Sequence, residues 1–419
     1  MANLLICLSL LLGFFDEGIR KILPGAPVSV TSIKVLVALS ALLFCGSEIR
    51  GGLKVAVKFH ALWFLAIFLS ACSLIVQGMP VFPVLASFLM YSGCIFYTLV
   101  GVKIGSDPVL FSKIKTLFWA GVALSLCVAF IQETDRGILP QFFSRRIFIE
   151  KHSEAVGSYV ESIFTSPTIF AEFLCVALAC ILFDGDEPGY LVSFLSGLLV
   201  LGILLSRTRV AIFLAGALFL LKIFMAPFAS KRDFRKKALN IMILFSVVAS
   251  VYAYSDLQKD SSFFSAVVDS DKLEGRAFIF GNEQGALVGH DWVLGYGIGT
   301  GGSMRSMYGE SVDGIPEVYD TGLFLLYHEM GVVGVVSFLA IFFGLAVHAY
   351  GRGMDEFKSN LKYYCSILVL LIWFLFKTHA ILSNIFSSML WFGLVGLVIG
   401  GPEETVHEIP ASRPYSAED

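Results

Sequence analysis

Asp320, His328 and Glu329 lie within the run Val318-Tyr319-Asp320-Thr321-Gly322-Leu323-Phe324-Leu325-Leu326-Tyr327-His328-Glu329-Met330-Gly331-Val332-Val333-Gly334. Ionisable groups in so apolar a stretch are costly and mark a functional or structural requirement. A carboxylate or an imidazole in such a place has the chemistry of a general base, able to take a proton from a hydroxyl within reach. If a helix begins near Asp320, turning by about 100 degrees per residue, Phe324 and Tyr327 share its face, His328 lies about 80 degrees away and Glu329 points to the opposite side. Asp320 and Glu329 are therefore not expected to act as a catalytic pair. Asp320 also suits a helix N-cap, accepting backbone N–H bonds, a role compatible with chemistry. Glu329 reads as a partner in a buried hydrogen bond. His328 reads either as a satisfied side chain beside an apolar face or as a group titrating near neutrality.

Arginines supply the complementary chemistry. The turn Ser206-Arg207-Thr208-Arg209 joins two apolar runs, and a planar guanidinium offers paired donors that match a diphosphate. On a continuous helix Arg207 and Arg209 would stand about 200 degrees apart, so one of them faces any given cavity. Arg207 is the choice for it, and snorkelling to the headgroups accounts for the other. The segment 255–317 carries Asp256, Asp260, Asp269, Asp271, Glu274, Glu283, Asp291, Glu310, Asp313 and Glu317 against Lys259, Lys272, Arg276 and Arg305. It is net acidic and would repel an anion except where particular cations face it. Arg276 and Arg305 are those candidates, with a salt bridge to Glu274 as the alternative for Arg276. The run Gly295-Tyr296-Gly297-Ile298-Gly299-Thr300-Gly301-Gly302 has a nucleotide-loop look but lacks a strand-loop-helix frame. It is expected to be backbone that bends sharply against the membrane, with Trp292 and Tyr296 as interfacial anchors or sugar platforms.

The elements that must position these groups are membrane helices. The chain has 419 residues, 57% of them hydrophobic and 15% charged, and a mean hydropathy of +0.80, which leaves too little polar surface to cover a soluble globule of this length. A formal net charge of -3 excludes a basic stripe for nucleic acid. The eight cysteines fall in or beside apolar runs without metal or redox spacing and read as small hydrophobes. Met1-Ala2-Asn3 leads straight into apolar sequence, so an uncleaved first helix is expected.

Runs of about twenty apolar residues fall near 3–22, 28–46, 59–77, 81–102, 112–131, 164–183, 190–206, 209–228, 238–254, 319–349, 361–377 and 381–400. The expectation is an all-α, polytopic membrane domain over 1–402, about twelve spans with one large loop at 255–317 between the ninth and tenth, and a polar tail at 403–419. Lys and Arg gather at Arg50, Lys54 and Lys58, at Lys103, Lys113 and Lys115, at 231–237, and at Arg352, Lys358 and Lys362. The positive-inside rule places these loops and both termini in the cytoplasm. The 255–317 loop, the 134–162 loop and the Ser206 turn then share the outer face. No internal repeat is visible, which weakens a two-halved transporter, although Lys34 and Glu172 are charges at depth.

Asp320 with Leu323, Leu325 and Glu329-Met330-Gly331-Val332-Val333-Gly334 resembles the His or Asp, aliphatic helix, Glu-x-Gly-x-x-Gly pattern of the O-antigen polymerase and ligase superfamily. Ser206-Arg207-Thr208 looks like its Ser-Arg-small element. Gly275-Arg276 with Leu294-Gly295-Tyr296-Gly297-Ile298-Gly299 looks like its loop signature, and Ile163-Phe164-Thr165-Ser166-Pro167-Thr168 with Ala171 is similar to the segment opening a central helix. The resemblance covers residues 160–345.

It implies a bacterial inner-membrane glycosyltransferase of polysaccharide assembly that acts without metal or cofactor on an oligosaccharide carried by undecaprenyl diphosphate, with inversion. A flippase and a chain-length regulator are the implied partners. In that scheme Asp320 serves as base or orients the acceptor, Arg207, Arg276 and Arg305 hold the diphosphate, and Arg209, His328 and Tyr327 are secondary candidates. Ligases of this superfamily typically carry His where this chain has Asp320, which favours a polymerase over a ligase moving glycan to lipid A core or protein. The family's Arg before the Phe164 segment is replaced by Tyr159-Val160-Glu161, with Arg145 and Arg146 upstream as substitutes. A membrane transporter is the alternative of another class.

Overall fold

The computed structural model describes residues 6–7, 50–134, 146–149, 156–160, 162–164, 166–184, 189–206, 208–225, 292–301, 305–312, 322–352, 357, 360–376 and 385–400. The expected runs at 28–46 and 238–254 lie outside them, as does nearly all of the run at 3–22. The described helices are α1 (Arg50–Val76), α2 (Val81–Ser106), α3 (Pro108–Thr134), α4 (Pro167–Leu182), α5 (Gly189–Leu205), α6 (Arg209–Met225), α7 (Gly322–Arg352), α8 (Leu361–Phe376) and α9 (Ile385–Gly400). Each coincides with one of the apolar runs. Val57–Val76, Val81–Ser106, Pro108–Thr134 and Gly322–Gly351 are long and apolar enough to cross a membrane, and α4, α5, α6, α8 and α9 are shorter apolar helices. The chain is a helical membrane protein.

Helix ends follow local chemistry. At the end of α1, Gly78 takes φ +79 and the Met79 amide reaches back to the Leu74 carbonyl at 3.0 Å, a left-handed glycine cap with Pro80 behind it. Asp107 ends α2 and begins α3, its Oδ1 accepting from the Leu110 amide at 3.0 Å, with Pro108 in the first helical position, where no N–H is missed. Ser166 caps α4 by accepting from the Thr168 amide at 3.2 Å.

Among the described residues, strands occur at 146–159, where β1 (Arg146–Ile149) and β2 (Val156–Tyr159) pair antiparallel, Arg146 opposite Tyr159. The loop is tied to α3 where it returns. The Ser162 amide donates to Gln132 Oε1 at 2.7 Å, Gln132 Nε2 donates to the Ser162 carbonyl at 3.1 Å, and Ser162 Oγ donates to the Ser125 carbonyl at 2.5 Å.

Two contacts organise the bundle. α2 and α9 approach backbone to backbone: a Cβ at Gly101 would meet the Gly393 carbonyl and the Gly396 Cα, and one at Gly396 would meet the Thr98 carbonyl. Small residues let membrane helices gain dispersion contacts and weak backbone contacts that bulky side chains would prevent. α4 is the central element, packed by α5, α6 and α8, with every residue from Ile169 to Ala179 buried. Its far end carries Asp184, which bonds Lys362 of α8 at 3.1 Å and meets Lys115 of α3 at 3.7 Å. Two of the basic clusters expected on one side of the membrane thus converge on a single carboxylate.

Candidate functional site

The site is built where α7 breaks. Gly331 has φ +59 and ψ -156 inside that helix, a conformation essentially reserved for glycine. A break leaves carbonyls before it and amides after it without helical partners, and the loop 292–301 takes up both sets. The His328 and Glu329 carbonyls accept from the Tyr296 and Gly297 amides, both at 2.8 Å. The Val332 and Val333 amides donate to the Trp292 and Val293 carbonyls at 2.9 and 3.3 Å. Loop and broken helix therefore complete one another.

The approach requires glycine. Gly295, Gly297 and Gly299 take φ of +68, +107 and +82. A Cβ at Gly295 would strike the backbone of 328–331, and one at Gly301 the His328 ring. The glycine run bends sharply, as its composition predicts, but what it bends against is α7. It also cradles a carboxylate of the chain itself: the Gly301 amide donates to Glu329 Oε1 at 3.1 Å, and the Tyr91 hydroxyl of α2 donates to Glu329 Oε2. Glu329 is fully buried, so its expected role as a partner in buried hydrogen bonds is met. Both donors are neutral, a phenol and a backbone amide, and between them they give each buried carboxyl oxygen a hydrogen-bond partner.

Hydroxyls on α1 and α2 hold the rest of the loop. Ser70 Oγ accepts from the Ile298 amide at 3.0 Å and donates to the Glu329 carbonyl at 3.4 Å. The Tyr308 hydroxyl donates to the Ile298 carbonyl at 2.7 Å and lies 3.3 Å from Ser87 Oγ. Ser87 and Tyr91 are one helical turn apart on one face of α2. Burial pushes the Tyr308 hydroxyl up to about 12, the Glu329 carboxylate adding to this and the Ser87 hydrogen bond opposing it.

Arg305 opens a short 3-10 turn (Arg305–Met307), followed by another at Gly309–Val312. Its Nη1 donates to the Thr300 carbonyl at 3.0 Å and its Nη2 to the Val312 carbonyl at 2.9 Å. Two of the five guanidinium N–H groups are used in this staple.

Other expected residues fall as follows. His328 is buried beneath the Tyr296 ring, centroids 4.6 Å apart and stacked at 27°. Tyr327 is half-buried. Trp292 is 63% exposed. Arg209 is the first residue of α6. Asp320, Arg207 and Arg276 lie outside the described residues. The structure thus brings His328 and Arg305 to one loop. Among the described residues no group of three or more His, Cys, Asp and Glu gathers as a metal site.

Sequence reasoning missed Ser70, Ser87 and Tyr91. Their signal was slight, since hydroxyls in apolar helices ordinarily bond their own helix.

No protein-family model and no curated protein matches the chain.

Proposed function

We propose that the chain is a polymerase of undecaprenyl-diphosphate-linked oligosaccharide repeat units, a membrane glycosyltransferase of bacterial surface-polysaccharide assembly. The observation that carries this reading is a polar, glycine-rich loop drawn back among apolar helices. Tyr91 lies ten residues into α2, about 15 Å along it, and still meets Glu329 and, through it, the loop amide of Gly301. Irregular backbone at such depth is tolerated where it is buried in protein or lines a wet cavity. A guanidinium on a loop seated against apolar helices suits a substrate whose lipid tail stays in the bilayer while its diphosphate and sugars are outside it.

In this reading twelve spans place both termini in the cytoplasm of a cell with the chain in its inner membrane, and the 255–317 loop is periplasmic. Lys115 and Lys362 meeting at Asp184 supports a common basic side, and the loop 292–312 packs at the other ends of α1 and α2. Arg207, Arg276 and Arg305 hold the diphosphate leaving group, where fixed cations stabilise developing charge without solvent reorganisation. Asp320 takes the proton of the acceptor hydroxyl. That oxygen attacks the anomeric carbon as the bond to diphosphate breaks.

Incubating the purified chain with lipid-linked repeat units tests this. A ladder of longer lipid-linked products supports a polymerase; one modified lipid A core or protein acceptor makes it a ligase. A transporter is the second reading, favoured by Glu172, which is buried in α4 with Ser387 Oγ donating to its Oε2 at 2.9 Å. Solute flux into liposomes without any glycan product would establish it.

A further inference from the structure

The bonds around Glu329 form a continuous path from one helix to the guanidinium. Tyr91 of α2 holds one carboxylate oxygen of Glu329, and the other holds the Gly301 amide. The carbonyl of the adjacent Thr300 holds Arg305. Thr300 is itself fastened, its Oγ1 donating to the Gly297 carbonyl at 2.7 Å, while the Gly297 amide donates to the Glu329 carbonyl. Residues 297–301, which include the Thr300 carbonyl that holds Arg305, are thus fastened at both ends to Glu329 of α7. A loop with three left-handed glycines has a large set of unfolded conformations to lose. Fixed partners are needed to hold it in one.

We propose that Tyr91 and Glu329 are positioning residues that set where the Arg305 guanidinium stands, and through it the affinity for a diphosphate headgroup. This rests on the polymerase reading for the identity of the ligand. Neither residue touches substrate in this scheme. Glu329 acts through the Gly301–Thr300 backbone, and Tyr91 acts through Glu329. Glutamine at 329 retains an oxygen for the Gly301 amide and offers an N–H₂ that the Tyr91 oxygen accepts, so it is the conservative replacement; alanine removes both bonds.

The test uses the full chain in lipid nanodiscs, as wild type, Glu329→Gln, Glu329→Ala and Tyr91→Phe. Hydrogen exchange at amides 293–301 and 305–312 reads the clamp, and titration with undecaprenyl diphosphate reads the headgroup site. Glu329→Ala and Tyr91→Phe should exchange faster in the loop and bind undecaprenyl diphosphate about tenfold more weakly. Glu329→Gln should stay within about threefold of wild type. With lipid-linked repeat units the same two variants should raise KM by a like factor while kcat moves less.

Unchanged loop exchange in Tyr91→Phe would overturn the proposal, as would faster exchange with undiminished affinity for undecaprenyl diphosphate. Tyr91→Phe keeps the result decisive if Glu329→Ala does not fold. A wild type that binds undecaprenyl diphosphate yet extends no glycan would sink the polymerase reading and leave this one standing. A wild type that fails to bind it would sink this one.

Discussion

Replacing Gly331 with alanine pits one methyl group against the junction that builds the site. The residue stands at φ +59 and ψ -156, where an L side chain costs about 1–3 kcal/mol in strain. The new Cβ would also overlap the Val293 and Trp292 carbonyls, so the loop must retreat. Retreat stretches the bonds from Val332 and Val333 to Trp292 and Val293, each worth about 0.5–1.5 kcal/mol. The sum is about 2–6 kcal/mol, a large share of the roughly 5–15 kcal/mol that holds a typical protein folded. Gly351, in the same helix, is the control, because a Cβ there meets nothing within 4 Å and alanine should help the helix by up to about 1 kcal/mol. Thermal unfolding in detergent, with hydrogen exchange over 292–301, measures both. Gly331→Ala should lower Tm and expose those amides, while Gly351→Ala should do neither. If Gly331→Ala keeps wild-type Tm and protection, the break in α7 is not what seats the loop.

Gly396→Leu should abolish a monodisperse profile in size-exclusion chromatography, since the side chain would enter the Thr98 backbone and overpacking against yielding side chains alone costs about 1–3 kcal/mol. Gln132→Ala removes both bonds to the Ser162 backbone and should destabilise by about 1–3 kcal/mol in a denaturant titration. Tyr308 binds its proton more tightly folded than unfolded, so its contribution is intact below pH 10 and is lost as pH rises from about 10 to about 12. Wild type should therefore lose more stability across that window than Tyr308→Phe does, read from their denaturant midpoints at pH 9 and pH 12.

Much of the helical framework was legible because apolar length is a strong signal: α1 to α9 all fall where apolar runs predict them. The hairpin at 146–159 was not, because four-residue strands carry too little alternation to stand out from a loop. Within the site, the buried hydrogen-bonding role of Glu329 and the bending of the glycine run could be read from residue type and position. The break at Gly331 could not, since a glycine inside an apolar helix is tolerated and its φ is set by the loop that packs on it. For the same reason Ser70, Ser87 and Tyr91 were silent: their partners are 221 to 259 residues away in sequence, a separation that no local pattern encodes. The charge of Arg305 is legible in the sequence, whereas its staple depends on where the fold places the Thr300 and Val312 carbonyls.

Catalysis itself is tested most directly by purified chain, reconstituted with undecaprenyl-diphosphate-linked repeat units and followed by gel or mass spectrometry, as wild type and as Asp320→Ala. Wild type should give a ladder rising by whole repeat units, and folded Asp320→Ala should give none. Wild-type protein that leaves the units at their starting length, or an Asp320→Ala ladder as fast as wild type, would contradict this mechanism.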